Sequence, residues 1–161
     1  MKILTVVQIT RLFGKQCDET NFVMVTLPFP MRLAWDLKTT ITRTRFHKLV
    51  AHQFVAALKE VLKVYGIPKI KELGIDLFGG AFNCRLMRGG SEPSRHSWAI
   101  AFDLDPERNG LRTRFNRAQF SKPEYKPMLD IFSKHGFLNY GVIRNNDAMH
   151  FEAFEIQPKL K

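Results

Sequence analysis

The sequence predicts one domain of the α+β class. Three observations lead there. The chain has 161 residues, within the range of about 100–200 usual for a single domain. Residues 46–65 place Leu49, Val50, Phe54, Ala57, Leu58, Val61, Leu62 and Tyr65 at the three- and four-residue spacing of one helical face. Short β-prone runs and helical stripes then follow one another in irregular order, which favours α+β over a regularly alternating parallel α/β fold.

Each element has a local reason. The run from Ile3 to Thr10 is too short for a signal peptide and lacks a small-residue cleavage site. It reads as a short amphipathic helix with Ile3, Val6, Val7 and Leu12 turned inward. Residues 22–27 are apolar and β-branched, a strand closed by Pro28 and Pro30. The helix over 46–65 is stopped by Gly66, and Pro68 prevents its continuation. Residues 82–87 and 98–105 are strand candidates; in the second, Ala99, Ala101 and Asp103 share one face and Trp98, Ile100, Phe102 and Leu104 the other. Residues 109–119 read as an irregular loop. Ser121, with Glu124 three residues on, is an N-cap for a helix carrying Met128, Leu129 and Phe132 and ending at Gly136. Strands at 138–143 and 150–156 complete the chain. His47, His52 and His135 read as structural residues.

Twenty-five Lys and Arg against fifteen Asp and Glu give a formal charge of +10. That balance calls for an acidic partner: nucleic acid, an anionic membrane or an anionic wall polymer. The densest basic stretch, Arg108 to Lys126, reads as a solvated surface or a patch meeting such a partner. Cys17 and Cys84 are too few for a disulfide framework or a thiolate zinc cage, so a reducing cytosol is the expected compartment. No apolar run approaches the roughly 18–20 residues that span a bilayer.

The chemistry points to four residues: His96, Asp103, Asp147 and His150. Asp103 lies on the small-residue face of an apolar strand, where a bare carboxylate is costly to bury. A metal ion is one of the few partners that offsets the cost. Two imidazoles and one carboxylate make a hydrolytic zinc shell with the fourth position open. Asp147, three residues before His150, suits the role of proton acceptor, and Arg85 or Arg88 supplies a cation for an oxyanion. The H-E-x-x-H, P-loop and dinucleotide-binding patterns do not occur.

The stretch Ser94-Arg95-His96-Ser97-Trp98-Ala99-Ile100-Ala101-Phe102-Asp103 resembles the S-x-H-x-x-G-x-A-x-D signature of the M15 family of zinc peptidases. Asp147-Ala148-Met149-His150-Phe151-Glu152 is similar to the second motif of that family, and Phe82-Asn83-Cys84-Arg85 to the segment bearing its substrate arginine. The resemblance covers residues 82–152, and Ala99 replaces the family glycine. It implies one Zn2+ held by His96, Asp103 and His150, with Asp147 as general base. Arg85 would act on the scissile carbonyl or oxyanion, and Arg88 and Ser94 would be substrate-binding positions. It further implies a fold like that of D,D-peptidases and the Hedgehog signalling domain, a small antiparallel sheet backed by helices.

The resulting expectation is a single catalytic domain over residues 1–161, with its motif-bearing core at about 82–156. It would be a monomeric zinc peptidase cutting peptidoglycan stem peptides, made in the host cytoplasm without a signal peptide and acting on the anionic cell envelope. L-alanyl-D-glutamate endopeptidase activity of a phage or prophage endolysin leads; a D,D-carboxypeptidase or dipeptidase follows. A non-catalytic nucleic-acid-binding domain is the alternative of another class, weakened because no helix-turn-helix, zinc-finger or RNA-recognition motif is found.

Overall fold

The computed structural model describes residues 1–159. Four helices, α1 (Val6–Phe13), α2 (Ala51–Leu73), α3 (Lys126–Lys134) and α4 (Tyr140–Arg144), accompany six strands. The strands are β1 (Phe22–Leu33), β2 (Asp36–His47), β3 (Leu77–Gly80), β4 (Ala101–Leu104), β5 (Phe137–Asn139) and β6 (His150–Ala153). They form one sheet in the order β2-β1-β3-β4-β6-β5. The α+β class holds, and the sheet is mixed: β1 and β3 run parallel, and every other neighbouring pair is antiparallel.

Side-chain alternation divides the sheet into two faces. Phe102 and Phe151 lie opposite each other on β4 and β6 and stack with centroids 5.1 Å apart. Phe54 from α2 and Phe132 from α3 press against Phe102 at 4.9 Å and 5.0 Å. These fully buried rings, with Phe46 and Phe137, form the core between sheet and helices. Each buried ring contributes about 1.5–3 kcal/mol of transfer free energy. The other face of β4 and β6 is left for Asp103, His150 and Glu152.

Several boundaries differ from the sequence reading. β1 continues through Pro28 and Pro30 to Leu33, because Val25, Leu27, Phe29 and Met31 point inward while the prolines take outward positions. The β1–β2 register shifts between Thr26 and Met31, and at such an irregularity the missing proline N–H costs no ladder bond. Its hairpin partner β2 is mostly exposed and shows little apolar periodicity. α2 starts at Ala51, since residues up to His47 belong to β2. Gly66 does break the helical geometry (φ 75°, ψ 157°), yet a second helical segment resumes around Pro68 and runs to Leu73. In α1, Ile9 and Phe13 are buried, whereas Val7 and Leu12 face solvent.

Residues 82–87 form no strand; only Leu86 makes an isolated bridge, to Pro93. Arg95–Trp98 is a 3-10 turn rather than the start of β4. Ser121 caps no helix: its hydroxyl donates to the Ala118 carbonyl, and successive 3-10 turns precede α3. The segment 138–143 divides between β5 and α4, because the Asn139 side chain caps α4 by accepting from the Val142 N–H.

Cys17 and Cys84 form a disulfide, contrary to the expectation from a reducing compartment. Both segments dock on one turn: the Cys17 N–H donates to the Ser97 carbonyl, and the Arg85 N–H to Ser97 Oγ. That shared support brings the two Cα atoms to 5.5 Å, within the reach of a disulfide. The three other histidines are structural as expected. His47 Nε2 lies 2.8 Å from the Phe13 carbonyl, His52 Nε2 2.8 Å from the Gln157 carbonyl, and His135 Nε2 2.7 Å from Glu60. Among the described residues, no helix is long and apolar enough to cross a membrane.

Candidate metal centre

β4 and β6 build half of the centre by register. Asp103 and His150 are direct cross-strand partners on the face away from the phenylalanines, which puts their side chains side by side. Asp103 Oδ1 lies 3.2 Å from His150 Nδ1 and 3.3 Å from His96 Nε2. His96 arrives from the 3-10 turn before β4. Ser94 Oγ opens that turn by accepting the His96 N–H, and Ala99 closes it in the left-handed region at φ 52°, ψ 38°. The family glycine at this position therefore has a conformational reason, which the face pattern of a regular strand did not reveal.

The three side chains are buried, and their candidate ligand atoms lie within 4.8 Å of one another. Their hydrogen bonds fit a metal. His96 Nδ1 lies 2.7 Å from the Ala81 carbonyl, which fixes the proton there and leaves the Nε2 lone pair facing Asp103. His150 Nε2 lies 3.1 Å from Glu152 Oε2, which leaves Nδ1 facing the same carboxylate. One carboxylate and two oriented imidazoles suit zinc. Burial pushes the Asp103 carboxyl up, but the two adjacent histidines outweigh it and hold Asp103 below the usual range. For His150, burial favours the neutral ring, yet the Asp103 and Glu152 carboxylates raise its pKa well above the ordinary value. A cation is what this site calls for.

Glu152 was visible in the sequence only as part of the second motif. It is two residues beyond His150 on the same face of β6 and is almost wholly buried. The Tyr140 hydroxyl donates to its Oε2 at 2.9 Å, and Arg95 Nε lies 3.8 Å away without a hydrogen-bond partner. Alternation along the strand is the signal that finds Glu152. No local signal finds Arg95, Tyr140 or the Ala81 carbonyl, because they arrive from other elements.

Asp147 sits in a tight turn at φ 58°, held where Asn139 Nδ2 donates to the Ala148 carbonyl at 2.8 Å. Its Oδ1 is buried without a hydrogen-bond partner, and burial raises its pKa. One groove brings Asp147 together with Arg85, Arg88, Ser94, His96, Asp103 and His150, the whole set predicted from the sequence. Arg85 is half-buried and Arg88 exposed, both on the loop that Cys84 ties down. A second groove meets the first at Arg85, His96 and Asp103. The basic stretch borders the site: Leu111 lines the first groove, and Arg114 bridges to Asn146 beside Asp147. There Arg108 pairs with Asp105, whereas Arg112, Arg114 and Arg117 line a surface concavity.

Residues 88–153 match the family described as D-alanyl-D-alanine carboxypeptidase, of the M15 peptidases. The matched span contains Ser94, His96, Asp103, Asp147, His150 and Glu152, and excludes Arg85 and everything on α1, α2 and the β1–β2 hairpin. The chain matches no curated protein and no solved structure.

Proposed function

We propose that this chain is a zinc peptidase of the M15 family that hydrolyses peptidoglycan stem peptides, an L-alanyl-D-glutamate endopeptidase acting as a phage or prophage endolysin. The observation that carries the reading is the cluster of His96, Asp103 and His150 at the junction of two grooves. An endopeptidase needs room for substrate on both sides of the scissile bond, and two grooves meeting at the cluster supply it. One Zn2+ held by His96 Nε2, Asp103 Oδ1 and His150 Nδ1 would supply Lewis-acid polarisation of the scissile carbonyl and an acidified water.

The remaining roles fall to the chain. Asp147, raised by burial toward the range of an effective base, takes the proton of the attacking water and returns it to the leaving amine. Arg85 faces the developing oxyanion, where a fixed cation counts most in a low-dielectric cleft. Arg88 binds acidic groups of the peptide. Ser94, through its cap on the His96 turn, holds that ligand as well as lining the groove. The disulfide fixes the loop that carries both arginines. The positive charge favours approach to an anionic envelope.

The description of the matched family favours a second reading, a D,D-carboxypeptidase or dipeptidase. Purified muropeptides incubated with the zinc-loaded protein test the proposal. Cleavage should stop with a chelator and return with zinc. Asp147→Asn should keep its zinc and lose at least about a hundredfold in kcat, whereas His150→Ala should lose zinc and activity together. Full activity in Asp147→Asn would remove it as the base. Salt-dependent DNA binding without wall hydrolysis would overturn the peptidase reading in favour of a nucleic-acid-binding domain.

A further inference from the structure

The second groove holds a residue that no motif marks. Trp35 sits at the tip of the β1–β2 hairpin, where Leu33 pairs with Asp36, and its side chain is 67% exposed. The tip is anchored, since the Ala34 N–H donates to the Phe78 carbonyl of β3 at 2.9 Å. Trp35 lines the groove together with Gly80, Phe82, Asn83 and Arg85, and the groove runs to His96 and Asp103. A Cβ at Gly80 would meet nothing within 4 Å, so the floor is open above the backbone. Phe82 is held against Phe22 at 4.7 Å and under the Arg45 guanidinium at 4.8 Å.

The two grooves share Arg85 at their junction and differ beyond it. The first adds Arg88 and suits the acidic half of a stem peptide; the second adds Trp35 and the neutral amide of Asn83. Resting on the endopeptidase reading, we propose that the Trp35 groove is the subsite for the glycan-bearing half of the substrate. There the indole stacks on the C–H face of the pyranose to which the stem peptide is attached. The alanyl half of the scissile bond and the sugar before it are uncharged, which matches this side, while the glutamate that follows matches the side that carries Arg88. A flat amphipathic ring fixed at an anchored tip loses little entropy on binding. Trp35 lies outside the residues matched to the peptidase family, so the subsite belongs to the part of the chain that distinguishes it.

The test compares a disaccharide-tetrapeptide with the same free tetrapeptide. In the zinc-loaded Trp35→Ala protein, the ratio of kcat/KM for the glycan-linked over the free peptide should fall about tenfold, the size of one lost stacking contact. Trp35→Tyr should recover most of it. An unchanged ratio in Trp35→Ala would overturn the proposal. A second measurement needs no turnover. Titration of the disaccharide-tetrapeptide into zinc-loaded Asp147→Asn should shift the tryptophan emission to the blue. Trp98, the other tryptophan, is 1% exposed and contributes a constant background. The shift should vanish in the Asp147→Asn, Trp35→Phe double variant; no shift, or one that survives there, would refute the subsite. Failure of the wild-type protein to cut either peptide would refute the peptidase reading instead, and the emission titration would still decide the groove.

Discussion

Replacing Glu152 by Gln isolates what its charge does for the metal centre. The Tyr140 hydroxyl and His150 Nε2 converge on one oxygen, Oε2, at 2.9 Å and 3.1 Å. A glutamine carbonyl placed there keeps both hydrogen bonds, and the backbone pairing of residue 152 with Ala101 and Leu138 is untouched. What is lost is the negative charge that makes His150 a stronger ligand and that faces Arg95 Nε at 3.8 Å. Loss of such an outer carboxylate costs about 10–100-fold in metal affinity, or about 1.4–2.7 kcal/mol. Arg95 keeps its ion pair with Glu92 at 3.6 Å and its hydrogen bond to the Leu4 carbonyl, so only its Nε loses the facing charge, a smaller destabilisation. Competition with a chromophoric chelator should therefore show a zinc Kd raised 10–100-fold, and the metal-free protein should melt at lower temperature. A Kd within twofold of wild type would refute the view that Glu152 orients and polarises His150.

Reduction of the disulfide, or Cys17→Ser, should lower the melting temperature. A 67-residue separation corresponds to about 4 kcal/mol of loop-closure entropy, and an unchanged melt in reductant would exclude a stabilising crosslink. His47 is buried and its pKa lies below the ordinary value because burial disfavours the charged ring. The unfolded chain then binds the extra proton first, so stability is full above about pH 6.5 and falls as pH drops toward the folded pKa. His47→Gln should flatten that slope in pH-dependent melts; an unaltered slope would rule His47 out as its source. Ala99→Gly should relieve about 1–2 kcal/mol of left-handed strain. It gives back about 0.4–1 kcal/mol through the unfolded chain and about 0.8 kcal/mol for the buried methyl. Its stability should stay within about 1 kcal/mol of wild type by denaturant titration, and a larger change would show that the methyl shapes the site.

The centre was legible because ligand types and spacings are local. His96, Asp103, Asp147 and His150 stand in two short segments, and strand alternation puts Asp103 on the face opposite Phe102. The surrounding shell was not legible in the same way. The Ala81 carbonyl, Arg95 and Tyr140 reach their partners only once β3, β4, α4 and β6 have assembled. The fold class followed from the apolar stripe of α2 and the short runs around it. The length of the hairpin did not, because β2 is exposed over most of its length and carries no burial pattern, and because the prolines of β1 fall at a register shift. The disulfide was hidden for a related reason: two cysteines so far apart in sequence meet only through the Ser97 turn.

Mass spectrometry of muropeptides digested by the zinc-loaded protein tests the central claim most directly. Internal cleavage should leave new glutamate N-termini, lost with chelator and restored by zinc. Release of terminal D-alanine alone would contradict the endopeptidase assignment, and no product from fully metal-loaded protein would contradict the peptidase itself.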